Sequence, residues 1–374
     1  MLSKFNPANI WRNVKELDLQ QIRTAAEKDI RIVLAGSEPE KLQTLANHLR
    51  RDPRRPDVIT HTLIPLIGID EAGGPAAPDL IVLVFSEEPD QAGLQAERLK
   101  EWDRAGYPVI ALMSPEADAG NLPLLAGGFT PVFAQPDDWY GLHAELAPAI
   151  LKLLSDDIMA LGRAFPMLRE MAARKLISDT SQANAAYSFS TGLAETIPGL
   201  NVPLNVADMI ILTKAQALLV YKLGLTLGLT PDWQYYITEF SGVIGSGFLW
   251  RQVARSLVGL IPAWGIIPKV AVAYSGTYTV GQAVLHWYLT GKHATRRMLR
   301  GFMKDALARG RTLGRNLRSR LPKRKAEQML PEGAPAPVKP SPDARICTNC
   351  ATINEPDARY CKVCGQVLQD VAID

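Results

Sequence analysis

Ile30-Arg-Ile-Val-Leu-Ala-Gly-Ser-Glu-Pro39 decides the fold of the first part of the chain. An aliphatic run closes on Gly36-Ser37. Leu42, Leu45, Ala46 and Leu49 then recur at helical spacing from Pro39 onward, so the segment reads strand, turn, helix. Leu80 to Phe85 is apolar at every position, the pattern of a strand covered on both faces. A helix over 90–105, a strand Val109–Met113 and a short strand near Val132 follow. Val58 to Ile69 reads as one extended stretch. Strands alternating with helices predict a parallel α/β sheet over 29–150, behind an N-terminal helix within 1–28.

A strand followed by a glycine turn and a helix is where a phosphate-binding loop sits, but that loop needs G-x-x-x-x-G-K-[ST]. Counted from Gly36, its last three positions hold Lys41, Leu42 and Gln43. Glu38 and Glu40 add negative charge, and Pro39 removes an amide donor. Asp70-Glu-Ala-Gly73 matches the short D-x-x-G pattern, yet Ser-Pro-Glu-Ala follows strand 109–113 where a guanine reader would stand. The domain resembles a small GTPase in layout. The resemblance implies a degenerate P-loop fold in which Gly36, Asp70 and Gly73 are remnants of the nucleotide loop. A response-regulator receiver is the rival layout. It needs acids after the first strand and an aspartate after the third, and here those places hold Gly36-Ser37 and Phe85-Ser86. Either way the expected module is non-enzymatic, with residual GTP binding as an alternative.

All 4 cysteines lie near the C-terminus, as Cys347-x-x-Cys350 and Cys361-x-x-Cys364. Two such pairs at this spacing present four thiolates to one tetrahedral zinc ion, with no position left open for catalysis. About 25 residues cannot bury enough surface to fold alone, so the metal supplies the missing free energy. The run 346–368 resembles the short bacterial zinc-ribbon family, including Asn-Glu-Pro-Asp-Ala-Arg-Tyr-Cys at 354–361. Reduced thiolates imply a cytosolic environment. The proline-rich linker 331–345 tethers the ribbon, which is expected to bind a protein partner.

Residues 151–300 read as helical, with 156–190 interrupted at Gly162 and Pro166. Ala183-Asn184-Ala185, Ile197-Pro198, Pro203, Asp208, Gln216, Gly245, Arg251, Arg255, Pro262, Gly265, Ala273-Tyr274, Gly276-Thr277, Gly281, Tyr288 and Gly291 together resemble the YcjF-type domain of unknown function. That resemblance implies membrane association. Val270–Leu289 holds twenty residues without a charge, enough to cover about 30 Å as a helix. Ser256–Pro268 is a shorter uncharged run, and basic residues flank the pair on both sides. A hairpin with both ends in the cytosol is one reading. Peripheral or shallow insertion is a second, and a buried helical bundle a third, because Tyr274, Ser275, Thr277, Tyr278, Thr279, Gln282 and His286 are polar for a lipid-facing helix. Asp208 and Lys214 would also be costly in lipid.

Residues 291–325 carry thirteen Lys/Arg against Asp305 alone, in a chain whose net charge is +3. A basic helix, 301–330 as a segment and 292–321 by its pattern, presents Arg296, Arg297, Arg300, Lys304, Arg309 and Arg311 to an anionic lipid surface. Nucleic acid is the competing partner, and a merely solvated helical face is the third reading. The start of the chain lacks the apolar core of a signal peptide. The chain is thus expected to be multi-domain: an α/β domain, an α-helical domain and a small zinc ribbon. The expected function is a scaffold on the cytosolic face of the bacterial inner membrane, or otherwise in the cytoplasm. Nothing in the sequence assembles a nucleophile, paired carboxylates or an open metal site.

Overall fold

The continuous apolar runs become the buried centre of a five-stranded, all-parallel sheet. Its strands are β1 (Ile32–Gly36), β4 (Leu66–Gly68), β5 (Leu80–Val84), β6 (Val109–Met113) and β7 (Phe129–Phe133), in the order β4-β1-β5-β6-β7. In this computed structural model the described residues are 19–52, 54–70, 77–86, 88–116, 128–194, 204–230, 232, 266–319, 345–346 and 353–354. The chain divides into two compact units, Met1–Arg320 and Leu321–Asp374.

Every residue of β1, β5 and β6 is buried. Alternation assigns each face its cover. Ile32, Leu34, Leu80, Val82, Ile110 and Leu112 share a core with Leu42, Leu45 and Leu49 of α2 (Pro39–Leu49). Leu142, Leu146 and Ile150 of α4 join the same core; α4 covers 139–153 and has a π-helical turn at Leu142–Leu146. Ala35, Ile81, Leu83 and Val109 meet Leu99 and Trp102 of α3 (Pro89–Arg104) on the other face. The parallel strands, numbered among themselves, run 2-1-3-4-5, an order that places a crevice at the C-terminal ends of β1 and β5. Pro131 falls on the outer strand β7, where a missing amide removes no rung of the ladder.

The single extended stretch expected over Val58–Ile69 is divided. Its first residues belong to an antiparallel hairpin of β2 (Arg51–Asp52) and β3 (Arg55–Ile59), outside the main sheet. The chain then turns away because the Thr60 and Thr62 hydroxyls both donate to the Ala164 carbonyl, at 3.1 and 2.7 Å. That carbonyl ends α5 (Ile158–Ala164). The break expected at Gly162 is absent: Gly162 lies inside α5, closely covered by Thr226 and Ala172. The break at Pro166 is present as a single 3-10 turn, Pro166–Leu168.

The sheet core continues without interruption through Ile158, Leu161, Phe165 and Leu168 to Ala172. Beyond it stand α6 (Arg169–Ala194), α7 (Leu204–Thr226), α8 (Ile266–Thr290) and α9 (Arg296–Ser319), while the short α1 (Leu19–Ala26) rests on α5 and α7. α8 is the central member and packs against α6, α7 and α9. Its polar residues are absorbed inside the bundle. Asn184 donates to the Thr277 hydroxyl at 2.9 Å, and Arg174 donates to Gln282. Thus Val270–Leu289, read as either a lipid-facing or a bundled helix, is a bundled one here. Among the described residues no helix is long and apolar enough to cross a membrane.

Charged contacts fasten the β2–β3 hairpin to this bundle. Arg169 donates to the Gly162 carbonyl at 3.2 Å and to that of Arg163, and lies 4.0 Å from the buried Asp52 carboxylate. Glu170 is held by Arg54 at 2.6 Å and by Arg174 at 2.7 Å. Burial pushes the Glu170 carboxyl up, but the hydrogen bonds and charges of Arg174 and Arg54 outweigh it and leave it below its ordinary value of 4.5. A depressed carboxyl contributes stability above its unfolded pKa and loses it as the pH falls through the folded one. The urea midpoint is therefore expected to drop as the pH goes below about 4.5. Glu170→Gln should show a smaller drop over that interval; an unchanged acid limb would refute the role of this cluster.

Candidate functional site

Among the described residues of the first unit, two places present functional groups: the crevice at the strand ends, and the outer face of α9. In the crevice, β1 and β4 end side by side, with Gly36 paired to Gly68 and the Ile69 amide donating to the Gly36 carbonyl at 3.1 Å. Asp70 follows Ile69 and is exposed. Gly73 lies outside the described residues. A Cβ on Gly36 would stand 3.2 Å from both Leu42 Cδ2 and the Val84 carbonyl oxygen, so this turn needs glycine for packing.

Among the described residues, several groups that a phosphate could use are engaged elsewhere. The Ser86 amide, just past β5, donates to Gln95 Oε1 at 3.0 Å, and Gln95 Nε2 donates back to the Ser86 carbonyl at 2.9 Å. Both residues are buried. At the start of α2, Pro39 offers no amide, and those of Lys41 and Leu42 bond to the Glu38 carbonyl. The Lys41 ammonium is tied to Glu38 at 2.6 Å. Anions favour helix N-termini with free amides and positive potential, and here the acidic Glu38 and Glu40 stand instead.

The face of α9 is arranged differently. At roughly 3.6 residues per turn, Arg296, Arg297, Arg300, Lys304, Arg311, Arg315 and Arg318 fall within an arc of about 100°. The stripe runs about 33 Å at ~1.5 Å per residue. All seven are exposed. Arg309 leaves the stripe: its guanidinium sits 5.5 Å from the centre of the Tyr278 ring and 3.5 Å from its hydroxyl. The described ion pairs run from Arg23–Glu27 to Lys175–Asp179, and none engages Arg297, Arg300, Lys304, Arg311, Arg315 or Arg318. α9 is seated on α8 through Ala306, Gly310 and Gly314, all buried, along a line about 90° around the helix from the centre of the stripe.

A short corner joins α8 to α9. Gly291, at φ +68, closes α8 with its amide on the Trp287 carbonyl at 2.7 Å. The Thr295 hydroxyl opens α9 by accepting from the Met298 amide at 3.3 Å. Trp287 is half-buried beside Tyr288, whose hydroxyl donates inward to the Val220 carbonyl at 3.4 Å. Sequence reasoning missed this aromatic pair and the Gln95–Ser86 clasp. The clasp joins residues nine apart and has no periodic signature, whereas the tryptophan before a glycine and a basic run was visible.

In the second unit, β8 (Arg345–Ile346) pairs antiparallel with β9 (Ile353–Asn354). Cys347, Cys350, Cys361 and Cys364 lie outside the described residues. Among the described residues, no group of three or more His, Cys, Asp or Glu is placed to hold a metal. No protein family, curated protein or solved structure matches the chain.

Proposed function

We propose that this chain is a non-enzymatic bacterial adaptor that sits on an anionic membrane surface through α9 and holds a zinc ribbon on a tether for a protein partner. The cationic stripe carries the reading: seven cations on one rigid face, six of them outside every described ion pair. Near an anionic bilayer each such charge contributes about 1 kcal/mol. Attachment is peripheral, because α8 has its polar residues paired inside the bundle. In this reading the sheet is a degenerate GTPase-like domain, its crevice closed by Gln95 and Glu38, and the helices are of YcjF type. The ribbon reading is supported by the β8–β9 hairpin, which brackets Cys347 and Cys350.

Flotation with phosphatidylglycerol and phosphatidylcholine vesicles, using protein assayed for one bound zinc, tests this. Co-flotation is expected with the anionic vesicles only, and should weaken at high salt. Reversing Arg297, Arg300, Arg311 and Arg315 to Glu should lower the affinity by at least about 1,000-fold. Absence of vesicle binding, together with steeply salt-dependent binding to a DNA duplex, would transfer the stripe to nucleic acid.

A further inference from the structure

We infer that the α8–α9 corner is the pole of the bundle that enters the lipid interface, with Trp287 as its anchor and Lys292, Arg296, Arg297 and Arg300 around it as phosphate contacts. The inference rests on the proposed membrane docking and adds the orientation and the inserted residue. Three observations converge. First, the corner is rigid: between the Gly291 cap and the Thr295 cap only three residues intervene, and the Lys292 amide is fixed to the Thr290 hydroxyl at 3.2 Å. Second, the stripe begins here, so the exposed Lys292, Arg296, Arg297 and Arg300 follow directly on the end of α8. Third, α8 passes from the buried Val280–Leu285 to a half-buried last turn, His286–Leu289, in which the Tyr288 hydroxyl bonds inward and Trp287 has no such tie among the described contacts.

A half-buried tryptophan followed in the next turns by exposed Lys292, Arg296, Arg297 and Arg300 matches the boundary between acyl chains and headgroups. There the indole body leaves water while the cations stay at the level of the phosphates. Duplex nucleic acid supplies phosphates too, but it offers no apolar layer behind them for the ring to enter. A bilayer is therefore the partner to which this corner commits.

The test uses the full chain and vesicles of phosphatidylglycerol, with and without brominated acyl chains, read by tryptophan emission. Brominated vesicles are expected to quench part of the wild-type emission, and Trp287→Phe should lose most of that quenched part although six other tryptophans remain. Trp287→Ala should weaken vesicle affinity about tenfold. Free inorganic phosphate should leave the emission unchanged. If Trp287→Phe is quenched as strongly as wild type while both bind, the corner is not inserted, and docking by the stripe alone stands. If wild type does not bind anionic vesicles at all, the docking reading fails and this inference falls with it.

Discussion

Gly310→Leu is expected to detach α9 from the bundle and to destabilise the first unit by about 3 kcal/mol, at the upper end of overpacking effects. The reason is backbone contact. A Cβ at Gly310 would lie 2.8 Å from Ala271 Cα and 3.0 Å from the Ala271 carbonyl oxygen, atoms that no rotamer change can move. For a unit of this size such a loss lowers the melting temperature by roughly 4–5 °C. α9 should also become the first site of proteolysis. Gly301 is the control on the same helix. It has nothing within 4 Å of its would-be Cβ, so Gly301→Ala should stabilise by about 1 kcal/mol through helix propensity alone. If the two substitutions behave alike in thermal unfolding followed by circular dichroism, the close α8–α9 seating is wrong.

Arg169→Met should cost about 3 kcal/mol or more. Arg169 is itself buried and serves the carbonyls of Gly162 and Arg163 and the carboxylate of Asp52, which is 5% exposed. The 4.0 Å separation makes the ion pair the weaker part, and most of the loss comes from carbonyls left dry and unpaired. Gly228 adds to the sensitivity, because it adopts φ +79 against the Arg169 guanidinium. The expected readout is a lower urea midpoint with an unchanged slope. Combining Arg169→Met with Asp52→Ala should cost less than the sum of the two single changes, since the carboxylate no longer needs a partner. Strict additivity would remove Asp52 from the account.

The sheet was legible because its strands are covered on both faces, which forces every position of Leu80–Val84 and Val109–Met113 to be apolar. α9 was legible because its cations recur on one helical face. What stayed hidden depends on residues far apart in the chain. Thr60 and Thr62 bend the chain through a carbonyl about a hundred positions away, so no local pattern announces the division of Val58–Ile69. Gly162 looked like a helix break in isolation, but Thr226 and Ala172 need its lack of a side chain. The uncharged run Val270–Leu289 is ambiguous for a physical reason: a central bundle helix and a lipid-exposed helix both exclude charge, and only partners such as Asn184 and Arg174 separate them.

The Gln95 carboxamide offers Ser86 one acceptor and one donor, as a bound ligand at a strand end would. Unlike a diffusing ligand, it is present at constant effective concentration, and its ordering entropy is already lost when the domain folds. While this clasp is closed neither Ser86 backbone group is free, so a ligand at this strand end would first have to break two buried hydrogen bonds.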